Sequence, residues 1–509
     1  MQFRRRDSGF IIVLALCVLA IWPFLRYASL PHDTDAELHI FRLAELARMW
    51  QGGIVYPRWA ANFYYGFGYP IFNFYAPLTY YIALLFNLLP GFDPVASTKV
   101  VLLLGIIGAG MGMYGFVRDQ FGRTAAFVAA ASYVYAPYIL YIDPHARGVL
   151  PESFAFAVFP CALWSVDKLL RRPSGKRFLA AVSLLAAIIL THNLMAMVFG
   201  SLTFAYFVWL LMVGIGTGER LSGVGIRLTL LAFGLGVGVA AFFWLPMVLE
   251  QNAIQIASVI GEGSHYDFRN HFMTLGELFG GMPRFDWGAS QPYFKHSLGI
   301  MQWVLGLLGF GRILFTRSLR RKQALFFAII AISLIFLMLP QSLWLWRTIP
   351  VLPFLQFPWR LLGATNAMLA VLAGFLFADL SPTEPSTQPT QPQNPLLAAT
   401  VIGLILLMAL PLMQIKPWSN FGDTNAQAVL ASELAGRWRG TTSTADFVPA
   451  TVDVTPREQP QITRQIQQGL PIDPLNRETL GDAQVETEII SPTHFRFQVQ
   501  TQQELVLRL

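Results

Sequence analysis

Within residues 31–42 the chain carries three carboxylates (Asp33, Asp35, Glu37), two histidines (His32, His39) and Arg42. They follow directly on an apolar run over about residues 9–25, at the mouth of a bilayer-length segment, where idle charge is expensive. Side chains of these types suit a reaction on an anionic lipid headgroup. A carboxylate takes a proton from an acceptor hydroxyl or amide, or holds a divalent cation such as Mg or Mn. Arginine, lysine and histidine neutralise a departing phosphate. Further candidates are Tyr56-Pro57-Arg58-Trp59, Arg147 with Glu152, His192, the trio Asp267, Arg269 and His271, Lys295-His296, and Phe357-Pro358-Trp359-Arg360.

Each of these has a plainer role open to it. Asp35 with His39 or Arg42 makes an intrahelical pair, and Glu152 near a helix start favours the helix dipole. Arg360 beside Trp359 serves as an anchor at a membrane surface, and His192 as a satisfied polar break. The aromatic run over residues 63–70 suits sugar stacking and an interfacial belt equally.

The elements that must hold these residues follow from local pattern. Thr34 and Glu37 have the spacing of a capping box, which predicts a helix starting at Asp35. On it Asp35, His39 and Arg42 share one stripe. The side lacks a clean apolar face, so the helix packs into protein with its polar stripe lining a cavity.

Membrane-length runs lie near residues 9–25, 97–117, 124–141, 152–170, 178–191, 194–214, 227–249, 297–315, 322–340, 360–379 and 396–414, about eleven spans. Residues 78–89, bracketed by Pro77 and Pro90, are short for a span and read as an interfacial segment. With that assignment the basic loops fall on one side, which places the N-terminus in the cytoplasm and the acidic first loop (residues 26–96) outside.

Of the 509 residues 54% are hydrophobic and 13% charged, with a mean hydropathy of +0.50. The composition is that of an all-α polytopic membrane protein in a lipid bilayer. The net charge of +7 comes from short basic runs between apolar segments, a topology signal that argues against a nucleic-acid partner. Cys17 and Cys161 both lie inside apolar runs, which excludes a disulfide framework or a cysteine metal site. Residues 381–395, rich in proline, threonine and glutamine, read as a linker.

The transmembrane domain is expected over residues 1–415, and residues 416–509 as a small C-terminal β-rich extracytoplasmic domain. There Phe495, Phe497 and Val499 alternate with polar residues, and Leu505, Leu507 and Leu509 repeat the pattern. The chain stops inside that last pattern, which predicts that this domain is incomplete.

Asp35-x-x-x-His39-x-Phe41-Arg42, Tyr56-Pro57-Arg58-Trp59, Gly66-x-Gly68-Tyr69-Pro70, Tyr75-x-Pro77-Leu78, Ala146-Arg147-Gly148 with Glu152, His192-Asn193 and Phe357-Pro358-Trp359-Arg360 together resemble bacterial plasma-membrane proteins labelled 6-pyruvoyl-tetrahydropterin synthase-related. No pterin-binding pattern is visible. That family is in turn similar to C-type (GT-C) glycosyltransferases, such as oligosaccharyltransferase catalytic subunits, protein O-mannosyltransferases and the lipid A aminoarabinose transferase.

The resemblance, which covers about residues 1–415, implies a multi-pass membrane glycosyltransferase moving a sugar from a polyprenyl-phosphate donor to an extracytoplasmic acceptor. It also implies roles. Asp35 would be the first catalytic acid, with Asp33 as its alternate, and Glu152 the second. Asp35 and Glu152, with His39, are the metal candidates. Arg58, Arg147, His192 and Arg360 are the donor-phosphate candidates. Asp35 is followed by Ala36 where the C-type motif has a second acid. The alternative from another class is a non-catalytic component that binds, flips or exports a lipid-linked glycan.

Overall fold

A computed structural model describes residues 7–30, 35–217, 221–281, 296–318, 320–379, 394–413, 420–444, 446–452, 457–473, 475, 480, 483–491 and 493–502. Each of the eleven apolar runs is helical. In chain order the helices that matter to the site are α1 (Gly9–Arg26), α2 (Asp35–Gln51), α3 (Leu78–Asn87), α4 (Pro94–Phe121), α5 (Arg123–Val134), α6 (Leu150–Arg171), α7 (Gly175–Thr191) and α8 (Asn193–Thr217). They are followed by α9 (Gly223–Val239), α10 (Ala241–Leu249), α11 (Ile300–Phe315), α12 (Arg320–Met338), α13 (Leu362–Phe375), α14 (Pro395–Ala409), α15 (Ala426–Leu434) and α16 (Pro460–Gln467).

Among the described residues, seven helices are long and apolar enough to cross a membrane. The count rises to eight if α9 and α10, bent by 62° at their junction, are one span. The other three predicted spans correspond to α7, α11 and α13, which have 17, 16 and 14 residues. They fall below that length, so about eleven holds as a count of helices and exceeds the count of full-length spans.

The bundle has a clear inside and outside. Every residue of α13 is buried, which makes it a central helix. By contrast Ile11 on α1 and Leu396 on α14 are 70% and 75% exposed, apolar surface of the kind that lipid covers. Against α4, α6 closes unusually near. A Cβ on Gly105, Gly108, Gly112 or Gly115 would meet Ser153, Ala157, Cys161 or Trp164 at 3.3 Å or less. Small residues at helical spacing let backbones approach where no hydrophobic force drives helix association in lipid. This stripe fixes where the N-terminus of α6, and with it Glu152, stands.

Between α5 and α6 the chain runs through a wide, π-type helical segment, Tyr138–Arg147, that ends on Gly148 at φ 73°. Glycine tolerates that left-handed conformation without a Cβ clash. The turn delivers Arg147 directly to the start of α6.

The helix predicted from Asp35 begins there, while the Thr34 cap and Asp33 lie outside the described residues. The Glu37 oxygens accept from Arg437 and from the Trp438 indole, both at 3.0 Å. Residues 78–89 form α3, a ten-residue helix packed on α2 and α4.

The C-terminal part contains α15 and α16 before its two strands, β1 (Gln484–Ser491) and β2 (His494–Gln500), which pair antiparallel. Val485 opposes Val499 and Thr487 opposes Phe497, as the alternation of residues 495–499 predicts. The Leu505–Leu509 pattern falls outside the described residues.

Candidate active site

A cavity of about 800 Å³ opens at one end of the bundle. Asp35, His39 and Arg42 line it from α2, Arg147 from the π-type segment, His192 from the break between α7 and α8, and Trp359 and Arg360 from the turn before α13. Five residues singled out in the sequence for catalysis, metal or phosphate are therefore brought to one chamber: Asp35, His39, Arg147, His192 and Arg360.

The centre of this wall is an arginine pair held by a buried carboxylate. Glu152, fully buried, accepts from the Tyr138 hydroxyl at 2.7 Å and from Arg147 at 3.1 Å, and its other cationic neighbour, the Arg360 Nε, stands 3.4 Å away. Arg147 also pairs with Asp143 at 2.5 Å, and Asp143 in turn accepts from Ser153 at 2.6 Å. Arg360 donates to the Leu355 carbonyl at 3.1 Å and to Gln356 Oε1 at 2.6 Å. Gln356 adopts φ 64°, a strained position for a residue with a Cβ and of a kind that collects at functional sites. The guanidinium of Arg147 lies 4.6 Å over the Trp359 ring, and that of Arg360 lies 4.8 Å over Phe357. Trp359 stacks between Phe357 and His296. Both cations are thus fixed by aromatic faces and hydrogen bonds while remaining on the cavity wall.

Glu152 itself does not line the cavity. It stands behind the two arginines and orients them. Asp35 does line it, and burial pushes its carboxyl above the usual aspartate value, opposed by Arg147, Arg42 and Arg360 and reinforced by Glu152. Asp35 lines the chamber and Glu152 does not, while the charges of Arg147 and Arg360 act on both carboxyls.

His39 Nδ1 is 2.7 Å from the Tyr80 hydroxyl, and its Nε2 is buried with no partner among the described residues. Burial, then Arg42, holds the imidazole neutral, well below its usual value. His192 serves as both break and wall: its Nδ1 accepts the Met195 N–H at 3.2 Å, so the neutral ring carries its proton on Nε2. Next to it Asn193 ties the first loop, accepting from Ala76 N–H at 3.0 Å and donating to the Phe74 carbonyl at 2.7 Å.

Arg58 stands apart from the other phosphate candidates. It pairs with Glu250 at 2.6 Å and with Asn73 at 2.5 Å, half-exposed and off the cavity wall. Asp267 is likewise a turn residue, accepting from Arg269 and from the Gly263 N–H.

Asp33, the alternate to Asp35, lies outside the described residues. Among them no three histidine, cysteine or acidic side chains stand close enough to hold an ion. The oxygens of Glu152, one of the expected ligands, are occupied by Tyr138 and the arginines.

One wall of the chamber has no counterpart among the local patterns of the sequence. Residues 433–444 and 446–449 run back across the first loop as a strap. Glu433 receives the backbone N–H of Tyr64 (2.8 Å), Tyr65 (2.5 Å) and Gly440 (2.9 Å). Tyr64 and Tyr65 are both at positive φ, which turns their consecutive amides toward one anion. Arg42 donates to the Thr441 carbonyl and hydroxyl and, at 3.1 Å, to Tyr80. Phe447 N–H donates to the Tyr69 hydroxyl at 2.9 Å, and Gln255 N–H to the Val448 carbonyl at 3.0 Å. Through these ties Trp438, Thr442, Ser443, Asp446 and Phe447 line the cavity.

Fold and site together define a polytopic helical membrane protein of GT-C-like architecture, with an arginine-walled chamber where its helices end. Residues 72–417 match the family described as "6-pyruvoyl-tetrahydropterin synthase related domain; membrane protein", and the chain belongs to that family. The apo oligosaccharyltransferase of Archaeoglobus fulgidus superimposes with a TM-score of 0.50 at 13% identity, over 82% of this chain and 57% of that one. That likeness is one of fold. ArnT from Cupriavidus metallidurans bound to undecaprenyl phosphate aligns at 15% identity over 85% of this chain and 78% of its own, with a TM-score of 0.45. An uncharacterized protein of Lactococcus lactis subsp. cremoris (strain MG1363) is 25% identical over 357 residues, 67% of this chain. The chain spans 55% of that relative's length.

Proposed function

We propose that this protein is a membrane glycosyltransferase that moves a sugar from a polyprenyl-phosphate donor to an acceptor on the extracytoplasmic face of the bacterial plasma membrane. The observation that carries the reading is the pair Arg147 and Arg360, held rigidly by Glu152 and aromatic rings at the wall of a chamber large enough for a sugar. Preorganised guanidinium groups stabilise charge as it develops on a leaving phosphate, in a site where reorganisation costs little. His192 Nε2–H adds a neutral donor on the same wall. A carboxylate of the chamber, Asp35 being the one read from the sequence, takes the acceptor's proton. A lipid-linked donor is supported by the apolar side of the same chamber, where Phe243, Trp244, Met247 and Val248 of α10 line it. The neighbouring Phe242 and Leu249 are 51% and 72% exposed, apolar surface along which a polyprenyl tail can lie.

The test is a panel of undecaprenyl-phosphate-linked 14C-sugars supplied to proteoliposomes containing the full chain. Label should leave the lipid fraction. Arg147→Lys and Arg360→Lys, which keep charge and lose the planar fork, should each lower turnover at least about 10-fold with insertion unchanged. Full activity in both variants refutes the role given to the pair. Label that crosses the bilayer while still attached to its lipid would instead establish the carrier reading.

A further inference from the structure

We propose that Gln356 is a phosphate-binding residue of the chamber: its carboxamide Nε2 donates to the same phosphate that Arg360 holds. This rests on the reading above, in which the chamber receives a polyprenyl phosphate.

Gln356 lines the cavity together with Phe357, Trp359 and Arg360. It is the centre of a γ-turn, at φ 64° and ψ −52°, with the Phe357 N–H donating to the Leu355 carbonyl at 2.6 Å. That turn is rare and strained for a residue with a Cβ, and glycine would occupy it freely. A glutamine here sets the work of its side chain against the cost of its backbone.

One end of its amide is committed. Oε1 accepts from Arg360 Nη1 at 2.6 Å, and the same Nη1 donates to the Leu355 carbonyl at 3.1 Å. Arginine only donates, so the amide oxygen must face it, which turns the amide nitrogen away. Among the described residues Gln356 Nε2 makes no hydrogen bond, and neither does Arg360 Nη2. Both nitrogens are accessible, on side chains that line the cavity.

The spacing fits one anion. Oε1 and Nε2 share a carbon, which puts Nε2 no more than about 5 Å from Arg360 Nη1. Hydrogen bonds of ordinary length let two oxygens of one phosphate bridge that gap. The cation beside the amide is itself fixed: Arg360 lies 4.8 Å over the Phe357 ring, and its Nε stands 3.4 Å from Glu152. A carboxamide adds donors for the anion without adding a charge that must be desolvated.

The experiment measures equilibrium binding of undecaprenyl phosphate to the full chain in nanodiscs, with undecaprenol as the phosphate-free control. Gln356→Met, similar in size and without donors, should weaken undecaprenyl phosphate about 10-fold or more and undecaprenol by less than about twofold. The same change in an Arg360→Gln background separates direct contact from positioning, the polyprenyl tail keeping binding measurable. Direct contact still costs about threefold or more there, whereas a residue acting only through Arg360 costs nothing further. Gln356→Gly, which relieves the turn, should match Gln356→Met in binding while thermal unfolding stays at or above the wild-type temperature. It carries the test if Gln356→Met does not fold. Undecaprenyl phosphate binding within about twofold of wild type in these variants overturns the proposal, as does the absence of any effect in the Arg360→Gln background. A wild-type protein that binds undecaprenol as tightly as undecaprenyl phosphate overturns the phosphate reading of the chamber, and this proposal with it.

Discussion

Glu152→Gln separates two roles that the sequence leaves open for this acid, a group that acts on substrate and a group that holds others in place. The side chain is fully buried, and its arginine partners are 9% and 10% exposed. Removing one member of a buried ion pair costs about 3–5 kcal/mol, because the other charge stays buried and unpaired. The geometry sets the outcome near the lower end. Glutamine keeps an oxygen for the Tyr138 hydroxyl now at 2.7 Å, and Arg147 keeps Asp143 at 2.5 Å. Arg360 keeps the Leu355 carbonyl and Gln356 but loses its carboxylate. A destabilisation of about 3 kcal/mol is expected, read by denaturant unfolding in detergent micelles. The double variant Glu152→Gln with Arg360→Gln should be less damaged than the sum of the singles by about 1–3 kcal/mol, since the two residues share one network. Glu152→Gln with wild-type stability and no sugar transfer would refute the positioning role and restore Glu152 as an acid acting on substrate.

The strap should be pH-sensitive through Glu433, whose carboxyl burial holds up at about 7 despite three backbone donors. A folded-state value raised above 4.5 gives a contribution that is full below about 4.5 and is lost as pH rises through about 7. Protease cleavage within residues 433–449 should therefore accelerate between pH 5 and pH 8, and Glu433→Gln should flatten that dependence; cleavage independent of pH in the wild type refutes it. Arg58→Ala should leave donor affinity within about twofold and change stability by less than about 1 kcal/mol, since its ion pair with Glu250 is half-exposed. A tenfold loss of donor affinity would return Arg58 to the site.

How far the sequence carried depended on the range of the interaction. Helix α2, its start at Asp35 and the shared face of Asp35, His39 and Arg42 follow from local spacing. The pairing of Phe497 and Val499 across the hairpin follows from period two. Membrane-length apolar runs located all eleven helices, but hydropathy does not register that α13 is buried on every side by protein, so a central 14-residue helix reads like a span facing lipid. Glu152 was legible as an acid at a helix mouth. Its position behind the arginines was not, because that depends on the glycine stripe of α4 and the wide turn ending at Gly148, which only packing reveals.

The strap marks the other boundary. Arg42 and Thr441 are separated by 399 positions, and Tyr64 and Glu433 by 369; no periodicity links residues at such distances. The loss of hydropathy after residue 415 marks the segment as polar and solvent-facing, which invites treating it as an appendage. Several of its features argue against that, and they were visible individually. Trp438 and Phe447 are large aromatic side chains in a polar segment, where an appendage has little to bury them in. Arg42 on α2 sits one turn beyond His39 on a helix that must enter protein, and the carboxylate nearest it in helical spacing, Glu45 at i+3, pairs with Arg48 instead, so its partners come from elsewhere in the chain. Closing the chamber with a segment so distant in sequence divides its wall between two parts of the chain. The arginines of the chamber belong to the membrane bundle, whereas the wall that Thr442, Asp446 and Phe447 supply comes from a segment tied on through Glu433, Thr441 and Phe447.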